Sequence, residues 1–117
     1  MEYTIFNPDY LVSVTGGDAA TMEEIAGIFA GQIPEFIAEM KDLLSKQKYY
    51  ELGLLAHKAK GSVTVMGMED AAKMLKEFEL KAKAGEQKER YSEFIARFEK
   101  DTGVVIDEMN DYLSRAK

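Results

Sequence analysis

Apolar residues recur every three or four positions along most of this chain, in stretches separated by glycines and short polar turns. That period is the signature of amphipathic helices rather than strands. Asn7-Pro8-Asp9 predicts a helix start, with Asn7 as cap and Pro8 at the first helical position. A short helix would run from there to about Val14 and close at Thr15-Gly16-Gly17. Thr21-Met22-Glu23-Glu24 offers a capping box for the next helix, with Asp18 as the cap of a slightly earlier start. Met22, Ile25, Phe29, Ile33, Phe36, Met40 and Leu43 then form one apolar stripe. Pro34 interrupts it and should kink the helix or cost about 3 kcal/mol, yet the period continues beyond it, so one bent helix is predicted.

Gln47-Lys48 reads as a turn. A third helix follows, carrying Leu52, Leu55, Ala59, Val63 and Met66 inward, and Gly67 is placed to end it in the left-handed conformation. A fourth helix spans about Glu69 to Ala84, with Ala71, Leu75, Phe78 and Ala82 inside and Gly85 closing it. The last helix runs from about Gln87 to Ser114, with Tyr91, Phe94, Phe98, Val105, Met109 and Tyr112 facing in and a bend at Gly103. Four such helices joined by short turns bury their stripes as an antiparallel bundle. The expected fold is therefore all-α: an antiparallel four-helix bundle with a short additional N-terminal helix, in one domain over residues 1–117.

Composition narrows the possible functions. The chain is 46% hydrophobic and 31% charged, with a formal net charge of −6. That balance supports a real core but disfavours nucleic-acid binding and docking on anionic membranes. The absence of cysteine excludes disulfides and thiolate metal sites and fits a reducing compartment. The N-terminal stretch from Met1 to Pro8 lacks a basic region followed by an apolar run, and no run of about 18 apolar residues occurs. A cytoplasmic protein, free-standing or a module of a larger chain, is expected. A monomer is expected as well, because the bundle should leave no further apolar stripe.

The sole histidine, His57, sits in the run His57-Lys58-Ala59-Lys60-Gly61-Ser62. On a helix, positions 57, 60, 61 and 64 share one face, away from the line through 52, 55, 59, 63 and 66. An imidazole is thus expected on the surface, with an ammonium group one turn on and a glycine beside it that shields nothing. Glycine inside a helix costs about 1 kcal/mol relative to alanine, so Gly61 suggests close approach by another body. An ordinary imidazole, with a pKa of about 6.5, is largely neutral near pH 7 and has a lone pair available for phosphorus. No acidic residue stands three or four positions either side of His57 to hold the ring charged. Other chemistries lack their residues. One histidine without cysteine makes no usual zinc site, phosphate loops and dinucleotide fingerprints are missing, and Ser62 has no nucleophile elbow. Carboxylates such as Glu23-Glu24 and Glu69-Asp70 read as helix-start and solubility features.

The segment His57-Lys58-Ala59-Lys60-Gly61-Ser62-Val63-Thr64-Val65-Met66-Gly67 resembles the signature of histidine phosphotransfer (HPt) domains. Phe29, Gln32 and Pro34 resemble the family's preceding helix, and Leu75 to Gly85 resembles the helix and glycine turn that follow. Ala59 departs from the larger aliphatic residue common at its position. The resemblance implies a phosphorelay intermediate without kinase activity of its own. His57 would be phosphoacceptor, Lys60 would stabilise phosphate charge, Gly61 would give clearance, and Gln32 would supply a hydrogen bond to the imidazole. It implies partners among response-regulator receiver domains and a hybrid sensor histidine kinase, with no cofactor in this chain and Mg²⁺ in the receiver. An apolar rim including Val65 or Met68 would add docking affinity. Two alternatives share the fold: a helical module that binds receivers or kinases without phosphorylation, and the phosphoacceptor domain of a larger chemotaxis-type histidine kinase.

Overall fold

A computed structural model describes residues 3–116; Met1 and Glu2, at the start of the stretch searched for a leader, and Lys117 lie outside it. The order is α1 (Pro8–Thr15), α2 (Ala19–Ser45), α3 (Tyr49–Val65), α4 (Glu69–Ala84) and α5 (Tyr91–Ala116), with a 3₁₀ turn at Lys88–Arg90 before α5. No strand occurs among the described residues. Helices α2 to α5 form the expected antiparallel bundle: each packs on its neighbour in sequence, and α5 closes the ring against α2. The short α1 is the additional N-terminal helix.

Local chemistry accounts for most helix ends. Asn7 caps α1 through its side chain, which accepts from the Asp9 amide, and Gly16 ends it at φ +66°. Asp18, not Thr21, caps α2: its carboxylate accepts from the Thr21 amide, so the helix begins at Ala19, before the Thr21 capping box. A carboxylate at the first turn also meets the positive end of the helix dipole. Helix α2 continues through Pro34, whose ring faces the exposed side. The seam of α2 runs through Ala26, while Ile25 and Leu43 are only half-buried. Gly85 takes φ +68° and closes α4 where expected. Helix α5 starts at Tyr91 rather than Gln87, because Gln87 is left-handed at φ +51° and a 3₁₀ turn intervenes. It then runs through Gly103 unbroken, with Leu113 buried and Tyr112 half-buried.

The core is one cluster that includes Phe29, Met40, Leu52, Val63, Leu75, Phe78, Tyr91, Phe98 and Met109. The buried Thr102 hydroxyl donates back to the Phe98 carbonyl at 2.7 Å. The Tyr91 hydroxyl reaches the Lys81 and Glu86 carbonyls. Among the described residues no buried side-chain polar atom lacks a partner, as a well-specified interior requires.

Two glycines set how the elements approach. At Gly53, in α3, an added Cβ would stand 3.0 Å from the Glu79 carbonyl oxygen and 2.8 Å from Lys83 Cγ, both in α4. This residue lets α3 lie unusually close to α4. At Gly67, φ is +69° and a Cβ would stand 2.6 Å from Asn7 Cβ. That turn receives the segment entering α1, whose Asn7 amide donates to the Met66 carbonyl at 3.2 Å. The preceding strap is held by Glu108 of α5. Its carboxylate accepts from the amides of Thr4, Ile5 and Phe6 at 2.6, 3.0 and 3.1 Å. Burial pushes that carboxyl up, but the amide bonds outweigh it and hold it below the usual range.

Gly53→Ala should therefore destabilise the fold by about 1–3 kcal/mol through overpacking. Gly67→Ala should cost at least about 2 kcal/mol, since left-handed backbone and contact with Asn7 add. Urea unfolding midpoints of the two variants against wild type check both.

Candidate functional site

Helix α3 places His57 on its outer face, with the imidazole side chain 65% exposed. Lys60, half-buried, has no ion-pair or hydrogen-bonding partner for its ammonium group among the described residues. Gly61 is exposed, and an added Cβ there would meet nothing within 4 Å. The structure thus brings three of the four expected site residues onto one open patch. Gln32 belongs elsewhere. Its Oε1 accepts from the Ser62 hydroxyl at 3.0 Å, across the α2–α3 seam, so the expected bond to the imidazole is not made.

The imidazole's partner is a residue that spacing along α3 could not reveal. Glu79 of α4 places Oε1 3.0 Å from His57 Nδ1. Its side chain is only 5% exposed, and its other oxygen accepts from Lys83 Nζ at 2.8 Å. The Lys83 hydrogen bond is the largest influence on Glu79. With the His57 bond and both neighbouring charges it overcomes burial, and the carboxyl is lowered from the usual 4.5 to about 2. An ionised carboxylate only accepts, so in the neutral ring the shared proton is on Nδ1. The lone pair is then on Nε2, across the ring from the Glu79 bond. No carboxylate stands three or four positions from His57 within α3, as the sequence shows; the one that meets the ring comes from α4.

Two further expectations change. Met68 is 1% exposed, part of the core rather than of a docking rim, while Val65 is half-buried. Large apolar side chains do remain on the surface. Tyr50 and Leu54 on α3, Ile28 on α2 and Leu80 on α4 are each about half exposed. Positions 50, 54, 57 and 61 share one helix face, so Tyr50 and Leu54 extend the His57 patch toward the start of α3. A cleft of 1130 Å³ lies elsewhere, between the N-terminal strap, the first turn of α4 and α5, and none of His57, Lys60 or Gly61 lines it. The imidazole, 65% exposed, lies outside that cleft.

The Hpt domain family model matches residues 24–116, nearly all of α2 through α5 with the His57 segment inside. The chain belongs to the Hpt domain family. Neither a curated protein nor a solved structure matches it. Hpt domains are helical bundles that act as phosphotransfer modules in two-component signalling rather than as kinases, and they interact with receiver and kinase domains. Among the described residues no helix of this Hpt domain is long and apolar enough to cross a membrane.

The depressed Glu79 carboxyl gives a signed pH dependence. Its contribution to stability is full above about pH 4.5 and is lost as pH falls toward about 2, where the folded-state group takes up its proton. Glu79→Gln should destabilise the Hpt domain near pH 7 by up to about 3 kcal/mol. The gap to wild type should narrow steadily between pH 4.5 and 2, as read from chemical unfolding across that range.

Proposed function

We propose that His57 is the phosphoacceptor of this Hpt domain, taking a phosphoryl group from a receiver aspartate or a histidine kinase and passing it to another receiver. One observation carries the reading: the side chain of the sole imidazole is 65% exposed while its Nδ1 is held by a buried carboxylate, which leaves Nε2 as the nitrogen without a partner in that bond. In the transfer, the Nε2 lone pair attacks phosphorus as the bond from phosphorus to the aspartyl oxygen breaks. The departing electron pair restores the receiver's carboxylate. The ring keeps its Nδ1 proton, becomes positively charged, and is stabilised by Glu79 across the 3.0 Å bond. Lys60 offsets charge on the phosphoryl oxygens, one turn from His57. Such a reaction needs alignment and charge neutralisation more than covalent machinery. Mg²⁺ and the aspartate belong to the receiver, and no cofactor is assigned to this chain.

The open surface favours a protein partner over a small substrate. Small-molecule sites are concave and bury most of their ligand, whereas His57 is 65% exposed and lines neither of the two clefts beside the N-terminal strap and α4. Tyr50 and Leu54 supply apolar area beside it, and Gly61 leaves room for the partner to come close. A soluble, cytoplasmic monomer suits this role.

Incubation with a phosphorylated receiver tests the proposal. Wild type should acquire a label that survives alkali and is lost in acid, and His57→Gln should acquire none. Lys60→Ala should label about tenfold or more slowly, as expected when a positioned charge is removed. A stable complex without label would instead support a binding module that is never phosphorylated.

Gly61→Ala separates fold from docking. With nothing within 4 Å of the added methyl, the variant should gain up to about 1 kcal/mol of helix stability. Its transfer rate with a receiver should nevertheless fall, because the methyl occupies the partner's space. Unfolding curves and transfer time courses on the same preparation check both halves.

A further inference from the structure

The bond network at His57 continues one step further, to Lys83. Lys83 Nζ donates to Glu79 Oε2 at 2.8 Å, while Glu79 Oε1 faces His57 Nδ1 at 3.0 Å. Exposure rises along this chain in both directions from the carboxylate: Glu79 is 5% exposed, Lys83 31% and His57 65%. The stem of Lys83 lies over Gly53, where a Cβ would stand 2.8 Å from Lys83 Cγ and 3.1 Å from its backbone nitrogen. The glycine of one helix therefore makes room for the lysine of the next. Lys83 follows Glu79 by four residues, the orientation in which such a pair is most favourable on a helix.

We infer that Lys83 is a positioning residue for His57: its charge on Oε2 keeps Glu79 an acceptor, which fixes the ring proton on Nδ1 and leaves Nε2 free to react. This rests on the phosphoacceptor reading of His57. The reason is a count of protons. In the reactive form the His57–Glu79 pair holds one proton, on Nδ1. If the pair takes up a second, it becomes either an imidazolium beside a carboxylate or a neutral carboxyl donating to Nδ1. Both forms carry a proton on Nε2, so both block the nucleophile. His57 from α3 and Lys83 from α4 are the charged or titratable groups whose bonds and charges bear on Glu79. Burial alone drives a carboxylate toward its neutral form, and the fixed positive charge of Lys83 opposes uptake of the second proton. Lys83 never touches the phosphoryl group in this scheme.

The test uses the full chain labelled with ¹⁵N, with two readouts near pH 7. Long-range ¹H–¹⁵N correlations of the His57 ring report which nitrogen carries the proton. Labelling by phosphoramidate, which loses ammonia as the bond from phosphorus to Nε2 forms, reports reactivity without a docking partner. Wild type should show Nδ1 protonated and Nε2 bare. Lys83→Met keeps the stem in the Gly53 slot but removes the charge. It should show a proton on Nε2 and a labelling rate reduced about tenfold or more, and Lys83→Arg should restore both. Lys83→Gln repeats the charge removal should the methionine variant fail to fold. Unchanged Nε2 signals in the charge-removed variants would overturn the inference, whatever the rate does. A displaced proton with an unchanged rate would overturn it as well. Failure of wild type to be labelled by phosphoramidate or by any phosphorylated receiver would instead sink the phosphoacceptor reading, leaving the ring signals to judge the hold of Lys83 on the tautomer.

Discussion

The buried carboxylate of Glu79 is the constraint around which the functional half of this bundle is arranged. A charge with 5% exposure is unfavourable unless it is paired and hydrogen-bonded. Each of its two oxygens has one partner, His57 from the facing helix and Lys83 from its own. For the His57 bond to be short, α3 must approach α4 closely, and Gly53 permits that approach. Electrostatics, helix spacing and ring orientation are thus one requirement seen from three sides. The imidazole is exposed, yet it is oriented, because its Nδ1 is tied to the buried Glu79 carboxylate of α4.

Most of the fold was legible in the sequence because the signals are local. An apolar period, a capping side chain and a left-handed glycine each act within one or two turns, so α1, α3 and α4 end where Gly16, Gly67 and Gly85 place them. Where two local signals competed, the ambiguity was real: Asp18 and Thr21 both cap well, and the carboxylate took the position. The start of α5 lies later than the apolar pattern predicts because Gln87 adopts positive φ without being glycine, which no composition rule anticipates. The site was legible only in part. His57, Lys60 and Gly61 share a helix face by spacing alone, whereas Glu79 stands 22 residues further along the chain and meets His57 only after α3 and α4 pair.

Gly53 and Gly61 show how the same letter carries opposite information. Both lie inside α3, both weaken it by a similar intrinsic amount, and nothing in the local sequence separates them. One faces α4 and is filled by the lysine stem and backbone of its neighbour; the other faces solvent with nothing near it. A packing demand explains the first. The second has no explanation inside the chain, and a cost that the fold does not require points outward, to whatever meets the surface at His57. The role of Gly53 is invisible in the sequence because the residues that fill its space, Glu79 and Lys83, lie in a different helix.

The exposed placement of His57 also bears on the division of labour with a partner. Enzymes that perform phosphoryl transfer surround the reacting group with donors and metal ions to stabilise its charge. Here the surface around His57 offers one exposed imidazole, one nearby ammonium group and apolar area from Tyr50 and Leu54. Charge stabilisation by a half-buried lysine still in contact with water is weak until that water is displaced, because attraction between charges grows as the local dielectric falls. Docking of a partner over Gly61 would remove that water and strengthen Lys60 at the moment it is needed. The isolated domain would then be a poor catalyst and a stable carrier for one reason: the surroundings that speed transfer are completed only in the complex.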